Sequence, residues 1–218
     1  MVVFTAIFGD YDRPVKPLHR GECRHVLFTD RNVRADGWEV RVVARRFSNP
    51  ARENRSYKLQ PHKLFPGERT VYIDGHIHLL MTPEALLSEV QGRAGRDYSV
   101  FALAHTLGHT VEGEFAWVRD KGMVAGDVLD AQWERYERLG VPAALPTAQA
   151  PLLVSRPDSE AFYDAWWLEV RDYGYRDQLS FPYARWVTGA DVFLVDRPNF
   201  HTLFRHRPHV KRQLVAAR

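Results

Sequence analysis

The chain has 218 residues, of which 45% are hydrophobic and 26% are charged, and its 30 Lys and Arg residues face 27 Asp and Glu. This length suits one globular domain with a sizeable core, and the small excess of positive charge is weaker than the basic stripe of a nucleic-acid-binding protein. Cys23 is the one cysteine, which excludes a disulfide within these residues, and no apolar run approaches the roughly 20 residues of a membrane helix.

Short apolar runs along the chain predict strands, and most are nearly continuous rather than alternating, as expected for strands buried on both faces. The first run follows Met1 directly, without a charged leader or a cleavage site. We therefore expect it to be the first strand of a soluble, cytoplasmic protein. The predicted strands are 2–8, 25–29, 38–44, 70–73, 99–104, 114–118, 152–155 and 192–195.

Helix signals lie between these strands. Thr82 is a typical N-cap with Pro at the first helical position, Asp127 can cap a second helix, and Ser159 can cap a third. Strands that alternate with helices predict an α/β domain with a mostly parallel central sheet flanked by helices. We expect a single domain over 1–218, with a flexible basic tail over about 205–218.

Three apolar strands end in acidic residues. They are Phe8-Gly9-Asp10-Tyr11-Asp12, Phe28-Thr29-Asp30 and Ile73-Asp74-Gly75-His76. Ligands of open α/β sheets bind beyond the carboxyl ends of the strands, although Asp at such a position is also a common turn former. Three such strand ends in one domain favour a shared ligand site.

One short run contains Asp74, His76 and His78, and it suits two kinds of metal site. Asp74 and His76 at a strand end would lie on one side of the strand, where they suit a cation that bridges phosphate oxygens. His76 and His78 alternatively resemble the zinc ligands that open amidohydrolase barrels. His105 or His109 would complete that zinc set. Such a barrel typically needs about 250 residues, which disfavours this alternative for a chain with 140 residues after His78.

Two longer motifs are the most specific features of the chain: Lys-Leu-x-Pro-His-x-Leu-Phe-Pro at 58–66 and Arg-Asp-Gln-Leu-Ser-Phe at 176–181. Further segments belong to the same set of motifs; in chain order they are 6–12, 28–30, Trp38, 55–57, 72–75, Gln132, Tyr136 and 166–170. This ordered set resembles a glycosyltransferase-like family of bacterial proteins and of plant Golgi proteins connected with mucilage polysaccharide. The family is similar in pattern to retaining nucleotide-sugar transferases of the GT-A fold, where a basic helix precedes a strand that ends in Asp-x-Asp.

The resemblance implies a GT-A-like, Rossmann-like domain that moves a sugar, as a hexosyltransferase or related enzyme does, from a nucleotide-diphosphate donor to a glycan or small-molecule acceptor. Tyr11 would stack on the base, Asp30 would accept from base or ribose, and Arg55 with Lys58, on one helical face, would clamp phosphate. The residues expected to bind the nucleotide sugar are Phe8, Gly9, Tyr11, Asp30, Arg55, Lys58 and Asp74.

Asp177 and Gln178 lie at a predicted helix start and are the expected catalytic pair, facing the sugar or the acceptor. An N-cap would explain Asp177 equally well. Trp166 lies on an apolar helix face, which predicts a place in the core. Neither the donor sugar nor the oligomeric state follows from these patterns.

The predicted metal ligands are Asp74, His76 and a histidine of the C-terminal segment, His201 or His206, of which we take His201. This chain has Asp74-Gly75-His76 where Asp-x-Asp is usual, and imidazole favours Mn²⁺, with Mg²⁺ as the alternative. The same departure leaves open a non-catalytic protein that binds nucleotides or glycans on this fold.

A second departure lies at 104–110. The family tends to have a His, then an Arg, then acidic residues there, whereas this chain has His105 and His109 followed by Glu112 and Glu114. The two histidines lack the Glu of His-Glu-x-x-His, and Gly108 lies between them, so they do not predict a zinc-protease helix.

Overall fold

A computed structural model of the protein describes residues 1–9, 11–107, 109–196 and 200–208. The strands are β1 (Val2–Ile7), β2 (Arg24–Thr29), β3 (Glu39–Val42), β4 (Thr70–Ile73), β5 (Ile77–Leu79), β6 (Val100–Ala104), β7 (Ala148–Ser155), β8 (Val192–Val195) and β9 (Phe204–His206). The α-helices are α1 (Pro50–Lys58), α2 (Pro61–Leu64), α3 (Pro83–Ala94), α4 (Val111–Asp120), α5 (Gly126–Leu139), α6 (Glu160–Asp172), α7 (Asp177–Thr188) and α8 (Phe200–Leu203).

Seven strands form one sheet in the order β3-β2-β1-β4-β7-β6-β8, and β5 pairs with β9 in a separate two-stranded sheet. The pairs β1–β2, β1–β4, β2–β3 and β6–β8 are parallel. Strand β7 is antiparallel to both β4 and β6, which makes β4 and β6 parallel to each other. The predicted α/β class with a mostly parallel sheet is confirmed, and the carboxyl ends of β1, β2, β4 and β6 meet at one edge.

The seven-stranded sheet is open, because β3 and β8 stand at the two ends of its strand order. An amidohydrolase barrel would need a closed ring of strands. The amidohydrolase alternative, with His76 and His78 as zinc ligands, is therefore wrong at the level of the fold.

Both faces of the sheet are buried, since its central strands are apolar on both sides. Every residue of β1 is buried. One face packs with α1, α6 and α7, in a cluster that includes Phe4, Trp166 and Phe181, so the predicted core place of Trp166 is confirmed. The opposite face packs with α3 and the β5–β9 sheet. No helix of the described residues combines the length and the apolar character that crossing a bilayer requires.

The predicted strand 114–118 is wrong, because these residues lie in α4. Thr110 caps this helix by accepting from the amide of Gly113 at 3.3 Å. Val111, Phe115 and Val118 are all buried, and their spacing of four and three residues is that of one helical face. Over the short run 114–118 the apolar residues resemble a strand, whereas the spacing of the apolar residues from Val111 to Val118 is that of a helix.

The helix starts were predicted with mixed success. Thr82 caps α3 as expected, accepting from the amide of Ala85 at 3.2 Å. The prediction that Asp127 is an N-cap is wrong. Helix α5 begins at Gly126 after Ala125, and Asp127 lies in the first turn, where its negative charge interacts favourably with the helix dipole. Ser159 stands at the N-cap position of α6 without a capping hydrogen bond.

The predicted tail starts too early. Residues 204–206 form β9, which pairs antiparallel with β5 so that Ile77 lies opposite His206. The rest of the predicted tail, from 209 onward, lies outside the described residues.

Candidate active site

A cavity of about 390 Å³, called the main cavity below, opens at the carboxyl ends of β1 and β4. Five of the eleven predicted site residues line it: Phe8, Tyr11, Arg55, Asp74 and His76. Its wall also contains Asp12, from one of the acidic strand ends, and residues that the sequence patterns did not single out as site residues, among them Asn54, Tyr175 and Arg176. The shared edge of parallel strands that was expected to bind a ligand therefore does hold a cavity.

A second cavity of about 490 Å³, called the side cavity, lies against the main one, and both include Ile7 and Asp12 in their walls. Its lining comes from the segments that follow β1 and β2. The polar and charged side chains in that lining are Asp12, Arg13, Lys16, Thr29, Arg31, Arg34 and Asp36. The two cavities together form a bipartite site with basic groups in both parts.

Asp74 is oriented by a hydrogen-bonded chain from the core. The Tyr72 hydroxyl donates to Asp74 Oδ1 at 2.7 Å, and the Asn54 amide donates to the Tyr72 oxygen at 3.2 Å and to the carbonyl of Ala6. Burial, and then the charge of Asp74, hold the pKa of Tyr72 well above its ordinary value. The hydroxyl therefore stays protonated and fixes one oxygen of Asp74.

His76 meets His206 rather than the predicted third ligand, His201. The Nε2 atom of His76 lies 3.1 Å from Nδ1 of His206, and its Nδ1 atom lies 3.9 Å from Asp12 Oδ2. His201 is exposed on α8 and is not among the residues that line either cavity. The pairing of β5 with β9 brings His206 to His76, and no local pattern in the sequence predicts a pairing across 130 residues.

The imidazoles of His76 and His206 are close enough to share one divalent cation. Metal–nitrogen bonds of about 2.0–2.1 Å hold two adjacent nitrogen ligands roughly 2.9 to 3.4 Å apart, and the two imidazole nitrogens here are 3.1 Å apart. Asp12 and Asp74 add carboxylates to the wall of the same cavity. Imidazole and carboxylate together suit Mn²⁺ or Zn²⁺ better than Mg²⁺.

Arg55 and Lys58 lie on α1 as predicted, but only Arg55 reaches the cavity wall. Lys58 is 3% exposed, and its Nζ atom lies 2.5 Å from Asp177 Oδ2. Arg55 Nη2 lies 3.5 Å from the other oxygen of Asp177. Lys58 is therefore directed to a buried carboxylate rather than to the cavity.

Asp177 is the first residue of α7 and is buried behind Arg55, outside the lining of both cavities. Burial acts to raise the pKa of Asp177, but the charges of Arg55 and Lys58 outweigh it and hold that pKa well below the ordinary value. A carboxylate with this environment is a fixed counter-charge. Its position suits support of Arg55 better than proton transfer.

Gln178 follows Asp177 and is also buried, at 9% exposure, and it lies outside the lining of both cavities. Its Oε1 atom has no hydrogen-bond partner among the described residues. An acceptor left unpaired in the interior costs free energy, so a ligand hydroxyl or amide that reaches it would gain from the contact.

Asp30, predicted to bind base or ribose, holds the turn after β1 instead. Its carboxylate accepts from the amide of Gly9 at 3.0 and 3.2 Å and pairs with Arg45 Nε at 3.0 Å. Gly9 has φ of +64°, and a Cβ there would come within 3.2 Å of Pro50 Cγ. Asp30 thus shapes the edge of the side cavity, which Gly9 lines, without lining it itself.

A cluster of three side chains that the sequence patterns did not bring together lies at the end of β6. Ligand atoms of His105, His109 and Glu114 all lie within 4.8 Å of one another, and in the described part of the chain this is the only such group of three or more His, Cys, Asp or Glu side chains. Arg176, on the wall of the main cavity, donates to Glu114 Oε1 at 3.3 Å. His105, His109 and Glu114 are close in sequence, but only a turn at 105–107 and a helix that starts at 111 bring their side chains together.

Comparison with known proteins gives a family match over most of the chain. A family model described as TOD1/MUCI70, glycosyltransferase-like domain, matches residues 1–209. The chain is 28% identical over 202 residues to the probable hexosyltransferase MUCI70 of Arabidopsis thaliana. That match covers 84% of this chain and 34% of the plant protein, so the chain spans about a third of the length of this relative.

Among solved structures, the chain is similar to the WbbM bifunctional glycosyltransferase, with a TM-score of 0.55 and 14% identity over 89% of this chain and 38% of that one. Mouse xyloside xylosyltransferase 1 gives a TM-score of 0.49 and 10% identity, over 96% of this chain and 95% of that one. The likeness to WbbM confirms the predicted GT-A-like fold.

Proposed function

We propose that this chain, which belongs to the TOD1/MUCI70 glycosyltransferase-like domain family, transfers a sugar from a nucleotide-diphosphate donor to a glycan or small-molecule acceptor. The observation that carries the proposal is the main cavity, where Asp74 and His76 share a wall with the cations of Arg55 and Arg176. That combination suits a diphosphate with a bound cation.

The two cavities suggest how a donor would lie. The side cavity, with Arg13, Lys16 and Arg31 in its lining, would take the nucleotide. The main cavity, with Phe8 and Tyr11 in its lining, would take the sugar and the acceptor, so Tyr11, which was expected to stack on the base, would contact the sugar or the acceptor instead. The diphosphate would cross between the cavities at Asp12, which lines both.

The cation in this proposal is Mn²⁺, with Mg²⁺ as the alternative, held between His76 and His206. The carboxylates of Asp74 and Asp12 line the same cavity and would have to move toward these imidazoles to join them. Such an ion, when bound, neutralises the charge that grows on the diphosphate as the sugar leaves. The protein's own part is orientation: Tyr72 fixes Asp74, and Asp12 lies 3.9 Å from His76.

Arg55 is proposed to contact the phosphate, and its direction is set by the protein. Asn54 accepts from Arg55 Nη1 at 3.0 Å, and Asp177 attracts Nη2 from behind. Asp177 is on this basis a positioning residue, whereas Gln178 has an unpaired acceptor that a movement of α7 would have to bring to the cavity before it could meet the sugar or the acceptor. A cytoplasmic location stays a prediction.

A thermal-shift panel of nucleotide diphosphates and nucleotide sugars, each with and without Mn²⁺, tests the proposal. A ligand at about 100 times its Kd stabilises the folded state by roughly 2.7 kcal/mol, which at this chain length raises Tm by roughly 5–10 °C. We expect a Mn²⁺-dependent rise for at least one nucleotide diphosphate. Absence of a rise with every nucleotide would overturn the proposal.

Two aspartate variants make that experiment specific. Asp74→Asn keeps the shape of the side chain and is expected to remove the Mn²⁺-dependent part of the rise. Asp130→Asn changes a carboxylate of an exposed ion pair with Arg119 and is expected to leave the rise unchanged.

A turnover measurement distinguishes an enzyme from a non-catalytic binding protein. The second alternative stays open because His76 stands where the usual Asp-x-Asp motif has its second Asp. Release of nucleoside diphosphate from the stabilising nucleotide sugar, with water or a glycan as acceptor, is expected for the enzyme. Asp74→Asn should lower that rate by about 10²–10³-fold, the loss typical when a preorganised electrostatic group is removed. Binding without any release would instead identify the binder.

A further inference from the structure

We propose that His105, His109 and Glu114 form a second cation site, separate from Asp74 and His76, and that it binds Zn²⁺. Two imidazoles and one carboxylate are a zinc donor set, and three protein ligands leave a fourth position for water or a ligand oxygen. The sequence marked 104–110 as a departure from the family pattern, and the proposed function leaves these histidines unused.

The geometry converges on one oxygen atom. Oε2 of Glu114 lies 2.7 Å from Nδ1 of His109 and 3.5 Å from Nε2 of His105. The two imidazole rings are stacked, with centroids 4.3 Å apart. Adjacent ligands of one zinc ion lie roughly 2.9 to 3.4 Å apart when the bonds are about 2.0–2.1 Å long. All three ligand atoms lie within 4.8 Å of one another, and rotation of the stacked imidazole side chains would place them around one ion.

Burial favours a tightly held ion at this place. Glu114 is 0% exposed and His105 is 8% exposed. Arg176 holds the other oxygen of Glu114 at 3.3 Å, so the carboxylate already has an orienting partner.

Zinc binding requires a change of tautomer that the structure permits. His105 Nδ1 now accepts from the amide of Leu107 at 3.3 Å, which leaves the proton on Nε2, toward Glu114. With zinc at Nε2 the proton moves to Nδ1, and this long hydrogen bond is lost. The ring stays neutral throughout, so no charged imidazole has to be buried.

The site would tie the end of β6 to the start of α4 and, through Glu114, to Arg176. The loop is anchored on its other side, where the amide of Thr147 donates to the carbonyl of His109 at 3.0 Å. The guanidinium of Arg176 lies 5.0 Å from the Trp117 ring centroid. Zinc would thus fix the position of Glu114, the ion-pair partner of Arg176 on the wall of the main cavity.

The test is a titration of the chelator-stripped full chain with Zn²⁺ and, separately, with Co²⁺ as a spectroscopic probe. His109→Ala is expected to remove one equivalent of Zn²⁺ and the visible absorption of tetrahedral Co²⁺. Its affinity loss should exceed the 10–100-fold that removing a supporting residue typically costs. Glu114→Gln, which keeps the shape of the side chain, should have the same effect if His109→Ala fails to fold.

Two controls separate this site from the proposed active site. His19→Ala changes an exposed histidine and should leave the metal content unchanged. Asp74→Asn with His76→Ala should retain the His109-dependent equivalent, and that equivalent should persist even if no nucleotide binds. The same zinc stoichiometry and Co²⁺ spectrum in His109→Ala and in the unchanged chain would overturn the second site.

Discussion

The carboxylate of Asp177 lies between two cations where water does not reach. Lys58, at 3% exposure, holds one oxygen, and Arg55 approaches the other. A buried ion pair contributes little net stability compared with apolar packing, but removing one partner leaves an uncompensated charge. Asp177 and Lys58 therefore serve to fix the position of Arg55. Removing the charge of Asp177 is expected to lower the free energy of unfolding.

Asp177→Asn removes the charge while keeping the size of the side chain. We expect the free energy of unfolding to fall by about 3–5 kcal/mol, because the buried Lys58 loses its counter-charge. Denaturant titration measures this fall. The matched control, Asp130→Asn, breaks an exposed pair with Arg119 and should cost less than about 1 kcal/mol. Equal losses in the two variants would show that the ion pairs of Asp177 do not stabilise the chain.

The same carboxylate predicts a pH dependence. Its pKa in the folded chain lies well below the unfolded value of about 3.9, so its contribution is complete above the unfolded pKa and is lost as the pH falls toward the folded one. Between about pH 5 and pH 3 the free energy of unfolding should fall less steeply in Asp177→Asn than in the unchanged chain. Denaturant titrations across this range measure the two slopes, and identical slopes would contradict the assignment.

At the scale of single elements, the strands were the most predictable part. The run 70–73 coincides with β4, whose full burial leaves a continuous apolar signature, and the run 192–195 coincides with the partly buried edge strand β8. Strands β5 and β9 have three residues each and exist because they pair with each other. Pairing between distant segments leaves no local pattern, which is why His201 was taken as the third ligand instead of His206.

The family motifs outside the cavity have a structural explanation at this scale. Glu169 Oε2 accepts from the hydroxyl of Tyr136 at 3.0 Å and from Gln132 at 3.2 Å, and Glu169 Oε1 accepts from Arg135 at 2.7 Å. These residues join α5 to α6 through a buried carboxylate, and Tyr136 stacks on Tyr183 of α7. A sequence motif alone does not distinguish this buried network from a ligand site.

Gly75, between Asp74 and His76, faces Ile7 at close range. A Cβ at Gly75 would come 2.3 Å from Cδ1 and 2.8 Å from Cγ1 of Ile7, a residue that lines both cavities. Gly75→Ala should therefore push Ile7 into the cavities and weaken the nucleotide-dependent thermal shift by more than about tenfold in Kd, a change of 1.4 kcal/mol. Titrating the thermal shift with the stabilising nucleotide measures this Kd.

Gly92→Ala is the control for the added methyl group. Gly92 is exposed within α3, and a Cβ there meets nothing within 4 Å. This substitution should raise the free energy of unfolding by about 0.5–1 kcal/mol through helix propensity and leave the Kd unchanged. Unaltered nucleotide binding in Gly75→Ala would mean that Ile7 moves aside without narrowing the cavities.

At the scale of the whole molecule, the candidate site is assembled from segments that are far apart in sequence. The turn after β1 supplies Asp12, α1 supplies Arg55, the end of β4 supplies Asp74, and α7 is preceded by Arg176. Strand β9 adds His206 from the other end of the described chain. The carboxyl ends of parallel strands lie at one edge of the sheet, so the site residues that follow strands could be predicted from the sequence. Site residues that only tertiary packing brings close, such as His206, could not.

Strand β9 offers a direct test of that assembly, because its last two residues differ in what they contact. His206 lies 3.1 Å from His76 across the β5–β9 pair, whereas its neighbour Arg205 is opposite His78, and successive side chains of a strand point to opposite faces. His206→Ala should weaken Mn²⁺ binding by more than about tenfold, or 1.4 kcal/mol, because one imidazole ligand is lost, and Arg205→Ala should leave it unchanged. Isothermal titration with Mn²⁺ measures both, and circular dichroism checks that both variants fold. If the two variants bind Mn²⁺ equally well, the cation lies elsewhere, and the close approach of the two imidazoles reflects a shared proton instead.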